Sequence, residues 1–155
     1  MPLHGENVNT IFPTDSTITS VGCTGSISIR SFDRSTEKSG CTRNGLEPPG
    51  MIVSPSHNQM SIAKKLRVYA HNNCPNCDVV TYNVSGRADA NSDWVEISSG
   101  DLPWINESVG RNSRGQTVES TYENSDPKLT GVTEVDFSSN NAAFLEYKVV
   151  FPEVR

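Results

Sequence analysis

Between Leu66 and Trp104 the chain runs in short alternating stretches separated by polar loops. In Leu66-Arg67-Val68-Tyr69-Ala70, Leu66, Val68 and Ala70 share one side and Arg67 and Tyr69 the other. Val80, Tyr82 and Val84 then alternate with Thr81, Asn83 and Ser85, and Trp94-Val95-Glu96-Ile97-Ser98 is short, β-branched and aromatic. A period of two predicts antiparallel strands that each bury one face. Other strands must cover that face.

The same pattern recurs on both sides. Thr17–Val21 and Ser26–Ser31 read as strands about a turn at Gly22–Gly25, and Gly50–Ser54 as a short buried strand between prolines. Later come Gln116–Thr121, then Val132–Phe137, in which Thr133, Val135 and Phe137 oppose Val132, Glu134 and Asp136, and last Phe144–Phe151. Residues 1–16 lack periodicity and read as a lead-in or edge segment, leaving 17–155 as the domain. The polar stretches 32–49, 105–115 and 122–131 read as loops, and 55–65 as a turn or a single helical turn. Roughly eight short strands without a long helix or internal repeat predict an all-β antiparallel sandwich of the jelly-roll kind.

The 155 residues suffice for one domain with its own core and are too few for two. A net charge of −5 speaks against nucleic acid and acidic membranes as partners, because both need a basic face. No apolar run approaches the roughly 20 residues of a membrane-spanning helix. The first residues show neither the basic nor the apolar region of a signal peptide, so the chain reads as cytosolic or as a domain of a larger secreted protein.

The four cysteines, Cys23, Cys41, Cys74 and Cys77, favour the secreted setting. Cys74 and Cys77 have CxxC spacing, but a redox pair opens a helix after a strand, whereas this pair lies between two strands. A structural zinc site needs a second close pair, which Cys23 and Cys41 do not make. The expectation is a local 74–77 bridge with 23–41 as the remaining pair, against free thiols, metal or redox chemistry. Two disulfides place a protein outside the cytosol, extracellular or at the cell surface. The triplets at Asn83 and Asn106 fit the N-glycosylation pattern, which arises by chance in an Asn/Ser-rich chain.

Leu66-Arg67-Val68-Tyr69-Ala70-His71-Asn72-Asn73, Asp78, the 81–86 strand, the 93–104 stretch and the late 146–154 stretch together resemble the galactose-binding-domain-like jelly roll. That group holds discoidin domains, coagulation-factor type C domains and family 32 carbohydrate-binding modules. The resemblance covers roughly Phe32 to Arg155, and its motifs describe strands and turns more than a ligand. It implies a carbohydrate partner, a glycan or glycoprotein. It also implies a structural Ca²⁺ in the loop that begins at Phe32, with Asp33 as carboxylate and Ser35 and Thr36 in oxygen-rich positions. Arg34 stands where the family's loop has glycine, and the family's closing strand, which supplies a further carboxylate, is missing after Arg155.

If neighbouring strands alternate in direction, loops 32–49, 72–78, 99–115 and 138–142 gather at one end of the sandwich. Loops 55–65, 86–93 and 122–131 gather at the other. The first end then collects Asn72, Asn73, Trp104, Arg111, Asn112, Asn140 and Asn141. A sugar needs planar hydrogen-bonding groups for its hydroxyls and an aromatic platform for its C–H face. Trp104 is the candidate platform, with Asn72, Asn73, Arg111 and Asn112 as rim, against a plain reading in which Trp104 packs under its own loop. Trp94, opening a strand, is expected in the core, and Arg87 as an ordinary surface residue.

Catalysis has no motif to carry it: His4, His57 and His71 are isolated, and no nucleophile elbow, zinc helix or nucleotide loop is present. The reading is therefore a non-catalytic carbohydrate-binding module. Its main rival is a structural or protein-interaction domain of a larger extracellular protein. Phospholipid binding ranks below both, since only Leu102, Trp104 and Ile105 offer apolar tips and their surroundings are not basic.

Overall fold

The computed structural model describes residues 17–24, 42–43, 45, 47–55, 59–69, 79–103 and 132–153. Among these the chain is all-β with antiparallel pairing throughout and no helix. The strands are β1 (Thr17–Val21), β2 (Cys23–Thr24), β3 (Thr42–Arg43), β4 (Gly50–Ser54), β5 (Lys65–Tyr69), β6 (Thr81–Arg87), β7 (Val95–Asp101), β8 (Val132–Asp136) and β9 (Glu146–Val150). The expected strands at 26–31 and 116–121 lie outside the described residues.

Five strands form one sheet in the order β1-β4-β9-β6-β7. β9 is the hub, paired with β4 through Gly50↔Val150 to Val53↔Tyr147 and with β6 through Asn83↔Val150 to Arg87↔Glu146. β5 and β8 form a separate two-stranded sheet, with register from Lys65↔Asp136 to Tyr69↔Val132. The third ladder, β2 with β3, falls where the sequence reads as turn and loop. Gly22 separates β1 from β2 at φ 62°, a conformation that suits glycine, and a Cβ there would crowd the carbonyl of Glu47.

Alternation decides which side of each strand is buried. Tyr82 and Val84 of β6 face inward, joined by Leu102 and Phe137, while Asn83, Ser85 and Arg87 take the outer positions. Leu66 and Val68 of β5 and Val135 of β8 pack on that cluster from the small sheet, and Val149, Phe151 and Ile97 pack on it from the large one. The two sheets therefore face each other as a sandwich, each buried large side chain contributing roughly 1.5–3 kcal/mol. Ile97 reaches the core because the register slips: Val84 pairs with Ser98 and Ser85 with Glu96, so β7 carries one extra residue there.

The segment 59–64 crosses the inner face without regular structure of its own. Ser61 and Phe144 exchange both backbone hydrogen bonds at 2.9 Å, and Phe137 N–H donates to Lys64 O at 2.9 Å. Tyr147, 3% exposed, donates its hydroxyl to Ser61 O and accepts from Ala63 N–H at 3.2 Å. These ties bring the chain from β4 to the start of β5.

Candidate functional site

Two rungs anchor the loops that the sequence singles out. Thr81↔Asp101 ends the β6–β7 ladder, and Tyr69↔Val132 ends the β5–β8 ladder. The chain between β5 and β6 runs from the second rung to the first, and the chain between β7 and β8 runs back from the first to the second. Both connections therefore leave from the same two places. The β1–β4 rung Val21↔Gly50 lies at this end as well, because Gly50 and Asn83 both pair with Val150.

The turn after β8 belongs to the opposite end. It joins Asp136, on the rung with Lys65, to Glu146, on the rung with Arg87. Asn140 and Asn141 thus sit with residues 88–94 rather than with the loops after β5 and β7, contrary to the alternating count. The count went astray between Asp101 and Val132, where the chain comes back to the end it left. At this end Lys64 Nζ donates to Ser138 O at 2.9 Å, and Asn140 Nδ2 donates to Ala63 O at 3.0 Å.

The expected sugar-binding residues Trp104, Asn72, Asn73, Arg111 and Asn112 lie outside the described residues. So do the expected Ca²⁺ ligands Asp33, Ser35 and Thr36, and Cys41, Cys74 and Cys77. Cys23, in β2, is disulfide-bonded. Among the described residues no group of three or more His, Cys, Asp or Glu converges as a metal site requires, and no helix is long and apolar enough to cross a membrane.

Trp94 departs from its expected place. It is half-buried on the outer side of the large sheet, one residue ahead of the Gly86↔Val95 rung and beside Arg87. Arg87 Cζ lies 4.5 Å from the indole centroid and Lys148 Nζ 4.7 Å. Both are cation–π contacts. Arg87 also donates its Nε to Glu146 and its Nη1 to Ala90 O at 3.0 Å, and Ser54 Oγ donates to Glu146 at 3.1 Å. Beside this group, Asn83 Nδ2 donates to Glu96 at 2.7 Å, Ser85 Oγ to Asn83 Oδ1 at 2.9 Å and Ser99 Oγ to Glu96 at 3.0 Å. The glycosylation triplet at Asn83 is thereby part of a hydrogen-bonded outer face, with its Ser85 only 6% exposed.

Sequence reasoning assigned Arg87 to the surface and did not single out Lys148 or Glu146. The signal was available in the alternation itself. Glu146 and Lys148 share a parity on β9, Arg87 has the outer parity on β6, and a tryptophan directly before a strand takes the parity of its alternate residues.

Elsewhere the charges are structural. On the outer side of the small sheet Glu134 meets Lys65 at 2.9 Å and Arg67 at 2.8 Å. Burial raises the Glu134 pKa, but hydrogen bonds and charge from Lys65 and Arg67 outweigh it and hold the carboxyl below the usual glutamate value. Asp89 shapes the turn after β6, accepting from Ser92 Oγ at 2.7 Å and Asn91 N–H at 2.8 Å, and the Ser92 bond first of all lowers its pKa. Comparison of the chain with protein-family models, curated proteins and solved structures finds no match.

Proposed function

We propose that this chain is a non-catalytic carbohydrate-binding module, a jelly-roll sandwich working outside the cell or at its surface. Its ligands are glycans or glycoproteins, held by the loops that follow β5 and β7. Trp104 serves as platform for the sugar's C–H face, and Asn72, Asn73, Arg111 and Asn112 hydrogen-bond its hydroxyls. The disulfides are 74–77 and 23–41, and a Ca²⁺ held by Asp33, Ser35 and Thr36 is a structural accessory rather than part of the binding step.

One observation supports this reading above others: the connections bearing Asn72, Asn73, Trp104, Arg111 and Asn112 share their two anchoring rungs, Thr81↔Asp101 and Tyr69↔Val132. A binding rim built from two connections needs their roots held at a fixed spacing, and paired strands hold them so. The test is a glycan array probed with the wild type and with Trp104→Ala. Loss of binding in the variant is expected, and equal retention of both rejects the platform. A wild type that retains no glycan leaves the structural or protein-interaction role in its place.

A further inference from the structure

The outer face of the large sheet holds a group of side chains that the loop site does not use. Trp94 is placed there by the rung next to it, and two cations close on its ring, Arg87 at 4.5 Å and Lys148 at 4.7 Å. Arg87 has matched its charge with Glu146. Lys148 has only the indole: among the described residues its ammonium meets no carboxylate and no hydrogen-bond acceptor. Arg87 Nη2 likewise has no acceptor there, since Nε and Nη1 carry its bonds. Glu96 pairs across β6 at the Ser85 rung, and Asn83 and Ser99 already occupy its two oxygens.

We infer that this face is a second subsite, for an acidic sugar unit carrying a single carboxylate. The inference rests on the glycan reading above and names the sugar class. Arg87 and Glu146 cancel, and among the described residues Lys148 and Glu96 are each left without a partner of opposite charge. The unmatched positive charge therefore lies at the Lys148 end of the face, and a carboxylate must enter there, away from Glu96. A sugar carboxylate fits that balance, accepting from Lys148 Nζ and Arg87 Nη2 in charge-assisted hydrogen bonds. The sugar's C–H face lies against the exposed part of the indole, and its hydroxyls meet the Asn83 amide and the Glu96 carboxylate, planar groups already fixed by each other. A polyphosphate fits poorly, because one unmatched charge on a chain of net charge −5 makes no basic track.

An array of neutral glycans, each printed beside its sialylated or uronic-acid counterpart, tests the inference with wild type and Lys148→Gln. In the wild type the acidic partner of a pair is expected to bind about tenfold tighter, the usual worth of a hydrogen bond to a charged group. Lys148→Gln, at a half-exposed position, should keep neutral binding and bring each pair to within about twofold. Binding without preference for acid overturns this inference and leaves the glycan reading standing. So does a preference that survives Lys148→Gln, since the acid is then read elsewhere. Absence of all binding overturns both readings together.

Discussion

Phe144 packs against Gly86, so near that a methyl group on residue 86 would overlap three carbons of its ring. The ring is buried and meets Tyr147 edge-on, with centroids 6.0 Å apart and planes at 84°. Gly86 pairs with Tyr147 on one side and Val95 on the other, so its backbone has little room to retreat. Glycine is needed here for the close approach. Gly86→Ala should therefore destabilise the fold by about 1–3 kcal/mol, the cost of overpacking a filled core. Equilibrium urea unfolding measures it, and a midpoint equal to wild type would show that the ring has somewhere else to go.

The same corner predicts an alkaline effect. Burial raises the Tyr147 pKa, and hydrogen bonds from the 59–64 segment only partly oppose it. The folded state thus holds the phenol proton more tightly than the unfolded chain. Its stabilising effect is complete below the ordinary tyrosine value and fades as pH rises through the raised one. Tyr147→Phe should lose about 1 kcal/mol at neutral pH with its hydrogen bonds. Above the ordinary tyrosine value the variant's stability should fall less steeply than wild type's. Parallel curves from pH-dependent urea unfolding would refute the assignment.

Much of the sandwich was legible in the alternation, because burial on one face imposes a period of two. Thr133, Val135 and Phe137 point inward as their parity required, and Tyr82 and Val84 do the same. The β2–β3 ladder was not legible: two residues per strand carry no periodicity, and turn-forming composition hides them. Trp94 was misplaced because bulk and apolarity argue for the core, whereas its parity and the neighbouring cations hold it on the outer face. The end to which Asn140 and Asn141 belong depends on every strand between being counted, and one miscount inverts everything after it. For the loop residues, composition suggested a chemistry, while their anchoring rungs could come only from pairing.

Thr133 is an inward residue with a cost attached. It is 1% exposed, and its Oγ1 has no hydrogen-bond partner among the described residues. A buried hydroxyl left unsatisfied costs about 1–3 kcal/mol, and valine has nearly the same shape. Thr133→Val should raise stability by about 1 kcal/mol. A decrease in the urea midpoint would mean that the hydroxyl is satisfied in solution, by a buried water for instance.

Acid stability should depend in part on Glu134. Its carboxyl sits below the usual glutamate value although burial pushes the other way, because Lys65 and Arg67 both donate to it. The unfolded chain therefore binds the proton more readily than the folded one. The stabilisation is present above the ordinary glutamate value and disappears as pH falls through the lowered one. Asp136, lowered first of all by its bond from Ser138, and Asp89 act in the same direction, so the wild type should lose stability gradually over the acid range. Glu134→Gln should cost at most about 1 kcal/mol at neutral pH, since its ion pairs are partly solvated. Below the ordinary glutamate value that difference should shrink as the wild-type carboxyl is protonated. Urea unfolding from about pH 6 to about pH 3 would measure it. A gap that stays constant or widens in acid would show that charge pairing on the outer side of the small sheet is not what sets the Glu134 contribution.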